Sequence, residues 1–100
     1  MYKVIIADDD FLVRTYLKQM IDWKANGFTI AGDAKNGKEA LRLIEQERPA
    51  LIITDICMPV LDGIGLIREM REQKLTGHIL VLSGHDDFAY VHEAMKLGID

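Results

Sequence analysis

The sequence predicts an α/β protein built on a parallel sheet with helices covering both faces. Short runs at Val4–Ala7, Leu51–Thr54 and Ile79–Leu82, apolar throughout apart from Thr54, read as strands buried on both sides, because a strand with one wet face would alternate with polar residues. Between these runs lie segments whose apolar residues recur every three or four positions, the spacing of one helical face. Strand and helix taking turns along the chain is the pattern of consecutive βα units.

The elements follow in order. Val4–Ala7 stops abruptly at Asp8, Asp9 and Asp10, as a buried strand does when it reaches a polar rim. Leu12, Val13, Tyr16, Leu17, Met20 and Ile21 then mark one face of a helix, with Asn26 and Gly27 as its stop, and Asp10 is a helix-start residue. Phe28 to Ala34 (FTIAGDA) has the β-branched and aromatic content of a second strand. Asn36, with Glu39 three residues on, has the spacing of a capping box; it opens a helix with Ala40, Leu41 and Ile44 on its apolar side, closed by Arg48-Pro49. After the third strand, Asp62 and Gly63 precede a helix carrying Ile64, Ile67 and Met70, and Gly77 marks the turn into the fourth strand. Asp86 or Asp87 caps a fourth helix with Phe88, Val91 and Met95 inward and Gly98 at its left-handed end. The pattern breaks off at Ile99-Asp100, where a βα series calls for another strand. The expectation is one domain, residues 1–100, incomplete at its C-terminal end.

Composition narrows the function. One hundred residues, 49% of them apolar, suffice for one core. A net charge of −4, with twelve basic residues scattered among sixteen acids, argues against phosphate-backbone binding, so no direct nucleic-acid contact is expected of this segment. The single cysteine cannot form an internal disulfide, and no apolar run approaches the roughly 20 residues that span a bilayer. The acidic start MYKVIIADDD is unlike a signal peptide, and a cytoplasmic location is expected.

The chemistry lies where strands end. In open α/β sheets, ligands bind outside the carboxyl ends of the strands. Three apolar strands here end in Asp8 and Asp9, in Asp55, and in Ser83. If the first and third strands are neighbours, three carboxylates meet in one crevice. At roughly 5 Å and an effective dielectric near 20, each ionised pair repels by about 3 kcal/mol, which favours a raised pKa or a bound cation. Mg2+ suits such a site, since it takes oxygen ligands and is typically held by one or two carboxylates plus a phosphate. Asp55 could then act as a carboxylate nucleophile in phosphoryl transfer, with the Ser83 hydroxyl donating to a phosphoryl oxygen.

Together the stretches ADDDFLVR, TDICMP, LDG and VLSGHD resemble the receiver domain of two-component response regulators, in order and over essentially the whole chain. The resemblance implies a flavodoxin-like, doubly wound parallel sheet of order 2-1-3-4-5. Here that reduces to 2-1-3-4, with the fifth strand and helix missing. It also implies an aspartate that takes a phosphoryl group from a histidine-kinase phosphohistidine in the presence of Mg2+. Carried over by position, Asp55 is the phosphoacceptor, Asp8 and Asp9 are the acidic pair with Asp9 the more direct metal ligand, the Cys57 carbonyl completes the coordination, and Ser83 is the switch hydroxyl. Met58 and Pro59 match the turn after the acceptor, and Gly63 the start of the third helix. The segment IDWKANGF is similar to that of receivers preceding AraC-type helix-turn-helix domains, which implies transcription regulation by an output domain outside this chain. The expected partners are a sensor histidine kinase and that output domain.

The chain departs from the family's pattern in lacking the last strand and helix, and with them a lysine that contacts the phosphoryl group and an aromatic switch residue. Impaired transfer is expected, and an open fourth strand predicts low stability or self-association into a homodimer. Competing readings are an aspartyl-phosphate phosphatase and a pseudo-receiver that only binds proteins. The phosphatase reading is disfavoured because Asp55 is followed two positions on by Cys57 rather than by a second acid. Cys57 as a redox sensor lacks a cationic neighbour in sequence to activate it. His78, His85 and His92 fall at sevens on a strand start, a loop and a helix, which does not assemble a metal site. His85, two residues after Ser83, could line the mouth of the site. Gly63-Ile64-Gly65 lacks the third glycine of a dinucleotide fingerprint.

Overall fold

A computed structural model of the protein describes residues 1–82. Its elements run β1 (Tyr2–Ala7), α1 (Phe11–Met20), β2 (Phe28–Ala34), α2 (Gly37–Glu47), β3 (Leu51–Asp55), α3 (Gly63–Glu72) and β4 (His78–Leu82). The strands form one all-parallel sheet in the order β2-β1-β3-β4, as expected for the first four strands. The expected fourth helix, with Asp86, Asp87, Phe88, Val91, Met95 and Gly98, lies outside the described residues.

Alternation along the central strands divides the core in two. Val4 and Ile6 of β1 and Ile53 of β3 face α1, where Leu17 and Trp23 complete a cluster. Ile5, Ala7, Ile52 and Ile79 face the other way, onto Ala40 and Ile44 of α2 and Ile64, Ile67 and Met70 of α3. Because both faces are covered, the central strands are apolar at nearly every position, the buried Thr54 aside, which is why they read as near-continuous runs.

The helix ends are set by local chemistry. Asp10, Asn36 and Asp62 cap α1, α2 and α3, their side chains accepting from the N–H groups of Leu12, Glu39 and Gly65. Arg48, in the left-handed conformation at φ 49°, ends α2 directly before Pro49. Gly77, at φ 129°, turns the chain into β4.

α1 departs from expectation in two respects. It ends at Met20, and residues 22–27 form a separate turn in which Asn26 Nδ2 donates to the Asp22 carbonyl. Trp23 anchors this turn: it is buried, its Nε1 donates to the Leu17 carbonyl at 3.1 Å, and its ring meets Phe28 edge-on. Of the six apolar positions assigned to one helical face, only Val13, Leu17 and Ile21 pack against the sheet, while Leu12, Tyr16 and Met20 are exposed. The two sets are parallel stripes at i, i+4 and i+8, about 100° apart around the helix, and only one can face the core.

Candidate functional site

β1 and β3 are neighbours, with Ala7 opposite Thr54, so the residues that follow Ala7 emerge beside the end of β3. The carboxylates of Asp8, Asp9 and Asp55 converge there, one oxygen of each lying within 4.8 Å of the others. Asp8 is buried, at 5% exposure, whereas Asp9 is exposed and Asp55 half-buried.

Asp8 and Asp55 are held by backbone. The Asp8 N–H donates to the Ala34 carbonyl at 3.0 Å, continuing the pairing toward β2, and Asp8 Oδ1 accepts from the Asp10 N–H at 2.8 Å. Asp55 Oδ1 accepts from the Ile56 N–H at 2.8 Å, and the Thr54 hydroxyl donates to the Asp55 carbonyl at 2.9 Å. Beyond Asp55 the chain alternates inward and outward: Ile56 and Met58 are buried in the α2/α3 cluster, and Cys57 between them is exposed at the rim. Gly63 N–H donates back to the Ile56 carbonyl at 2.7 Å, closing this loop against the strand it left.

Desolvation raises the Asp8 carboxyl above its ordinary 3.8; the Asp10 N–H opposes the shift, and repulsion from Asp55, Asp9 and Asp10 adds to it. The donor set is all carboxylate oxygen, the chemistry of a hard divalent cation, and a cation would offset the repulsion that the cluster carries. The residues present therefore fit Mg2+.

Among the other expected site residues, Ser83, His85 and His92 lie outside the described residues. His78 stands at the start of β4, at the opposite end of the sheet from the acids. Two features carry no signal in the linear sequence. Arg14 of α1 donates from Nη1 to the Asp8 carbonyl at 2.7 Å and from Nε to Asp33 at 2.9 Å. Val60, in the loop after Asp55, sits at φ 70°, a conformation β-branched residues rarely adopt.

The family model for the response regulator receiver domain matches residues 4–100. The chain belongs to the receiver domain family. It is 46% identical over 99 residues to an uncharacterized response regulatory protein of Staphylococcus epidermidis, and 43% identical to the transcriptional regulatory protein HptR of Staphylococcus aureus. In both comparisons 99% of this chain is covered, and it spans 37% of the relative's length. Among solved structures, the receiver domain of the response regulator AraT from Geobacillus stearothermophilus superposes with a TM-score of 0.92 at 35% identity, covering 99% of this chain and 77% of that one. A LuxR-family DNA-binding response regulator from Staphylococcus aureus gives 0.88 at 30%, covering 99% of this chain and 82% of that one. The receiver thus has the flavodoxin-like fold of these neighbours, with its acidic cluster at the C-terminal rim of the sheet. No helix among its described residues is long and apolar enough to cross a membrane.

Proposed function

We propose that this receiver is a phosphorylation-dependent switch in which Asp55 accepts a phosphoryl group from the phosphohistidine of a sensor histidine kinase. The observation that carries the reading is the convergence of Asp8, Asp9 and Asp55 within 4.8 Å at the ends of two adjacent strands. An Asp55 carboxylate oxygen forms the new bond to phosphorus as the bond from phosphorus to the donor nitrogen breaks. The Ile56 N–H on Asp55 Oδ1 fixes one carboxylate oxygen, and the rigid end of β3 fixes the direction of attack. Asp8 and Asp9, with the Cys57 carbonyl, would hold Mg2+, Asp9 the more directly. When bound, the metal supplies positive charge to the equatorial phosphoryl oxygens. Ser83 is the proposed hydroxyl that registers the phosphoryl group.

The change serves an output domain outside residues 1–100. Similarity to named transcriptional regulators supports a DNA-binding output, and the segment IDWKANGF supports one of AraC type. The whole then acts in the cytoplasm in transcription regulation, as monomer or homodimer.

The test is the intact mass of the protein after incubation with Mg2+ and acetyl phosphate, with Asp55→Asn as control. A gain of one phosphoryl group that the variant loses is the expected result. No gain in the wild type would leave a protein-binding pseudo-receiver as the better reading.

A further inference from the structure

We propose that Arg14 is a positioning residue for the acidic site, and that a bulge in β2 is what brings its partner Asp33 within reach. β2 pairs with β1 from Tyr2 opposite Phe28 to Val4 opposite Ile30, then resumes from Ile5 opposite Gly32 to Ala7 opposite Ala34. Ala31 is the extra residue. Side chains alternate along a strand, so an unbroken ladder would send Ile30 and Asp33 to opposite faces. Ile30 packs against the α1 cluster, whereas Ala31 packs against the α2/α3 cluster and the α-carbon of Gly32 faces Leu43 of α2. The extra residue inverts the alternation, and Asp33 comes out on the same face as Ile30, toward α1.

There Asp33 Oδ2 accepts from Arg14 Nε at 2.9 Å and pairs with Lys18 Nζ at 3.3 Å. Arg14 is held closely: 12% of its side chain is exposed, and its guanidinium lies 5.6 Å from the Phe11 ring centroid. Its Nη1 donates to the Asp8 carbonyl at 2.7 Å, while the Asp8 N–H donates to Ala34, the residue after Asp33. The result is a closed circuit running Asp8, Ala34, Asp33, Arg14 and back to Asp8 across β1, β2 and α1. It fixes the peptide group between Asp8 and Asp9, from which both proposed cation-binding carboxylates extend. Two acceptors in different directions require the planar fork of an arginine; a lysine offers one point of attachment.

This inference rests on the reading that the acids bind a divalent cation, and charge gives it a sign that can be tested. A guanidinium near a cation site weakens cation binding by repulsion, so if charge alone mattered, removing it would tighten Mg2+. If Arg14 positions the acids, removing it weakens Mg2+. The experiment is calorimetric titration of the full chain with Mg2+ below its unfolding temperature, alongside Tm in EDTA, for wild type, Arg14→Lys, Arg14→Ala and Asp33→Asn. Arg14→Lys and Arg14→Ala should each weaken binding by roughly tenfold, the usual size for loss of an outer partner of metal ligands. Asp33→Asn, which keeps the shape, should weaken it less and in the same direction. If Arg14→Ala does not fold, the other two variants decide. Unchanged or tighter binding in folded Arg14→Lys and Asp33→Asn, with only Tm lowered, would overturn the positioning role and leave the cation site standing. Failure of the wild type to bind Mg2+ would overturn the site reading and this proposal together.

Discussion

Gly63 donates its N–H to the Ile56 carbonyl at 2.7 Å, and a β-carbon at Gly63 would run into the carbonyl oxygen of Asp55. The start of α3 therefore rests directly on the peptide that carries the proposed phosphoacceptor. Gly63→Ala must push the two backbones apart, at a cost of about 2–3 kcal/mol. Because reacting groups tolerate little displacement, labelling of Asp55 by acetyl phosphate should fall by about tenfold or more. Denaturant melts and the intact-mass time course check both effects, and wild-type labelling in a destabilised variant would refute the coupling.

Asp8→Asn should stabilise the metal-free protein. The Asp8 carboxyl is raised above 3.8 chiefly by burial, so its ionised form costs folding free energy at neutral pH. Below the unfolded value both states are protonated and the cost is absent. As pH rises from there through the folded value the unfolded chain ionises first and stability falls, and above that window the cost is full and constant. In EDTA at pH 7 the variant should melt above wild type, the gap closing as pH falls toward 3.8. The amide oxygen of the variant side chain can still accept from the Asp10 N–H, so the test isolates the charge. A variant that melts at or below wild type at pH 7 would count against it.

Mg2+ should raise the melting temperature, because a ligand bound only by the folded state adds RT ln(1 + [L]/Kd), about 2.7 kcal/mol at a hundredfold excess over Kd. Na+ at equal ionic strength should not reproduce the shift, and Asp9→Asn should remove most of it. Differential scanning calorimetry at several Mg2+ concentrations gives the answer. An equal shift in the variant would mean that the stabilising ion sits elsewhere.

Val60→Gly should stabilise the fold. Val60 is 77% exposed and held at φ 70°, so the wild type bears the steric cost of a left-handed β-branched residue and gains little packing in return. Glycine should recover about 1 kcal/mol, read from the urea midpoint at unchanged slope. A loss of stability would show that the Val60 side chain matters more than its backbone.

The sheet and the acidic cluster were legible because both follow from simple signals. Strands buried on two faces are apolar at nearly every position, and Asp8, Asp9 and Asp55 stand where those runs stop, so a parallel sheet brings them to one rim. α1 was only partly legible, because Leu12, Tyr16 and Met20 form as regular a stripe as Val13, Leu17 and Ile21, and periodicity does not say which faces inward. The Arg14–Asp33 pair was not read from the sequence: the partners are 19 positions apart, and Asp33 reaches α1 only through a bulge whose one mark in the linear pattern is Gly32 inside a strand. Val60 escaped notice for the opposite reason, since a valine gives no turn signal where the backbone nevertheless turns.

The unpaired Ala31 constrains how β2 can change length. Deleting one residue between Ile30 and Asp33 would remove the bulge and put Asp33 two positions after Ile30, so the ladder with β1 would run unbroken and the Asp33 carboxylate would stay on the α1 face. Deleting two would place Asp33 directly after Ile30 and swing its carboxylate into the apolar layer with Ile44 and Ala40, away from Arg14. Between Ile30 and Asp33 this strand can therefore lose its one unpaired residue and still present Asp33 to Arg14, but not a second, even though Ala31 and Gly32 carry little or no side chain.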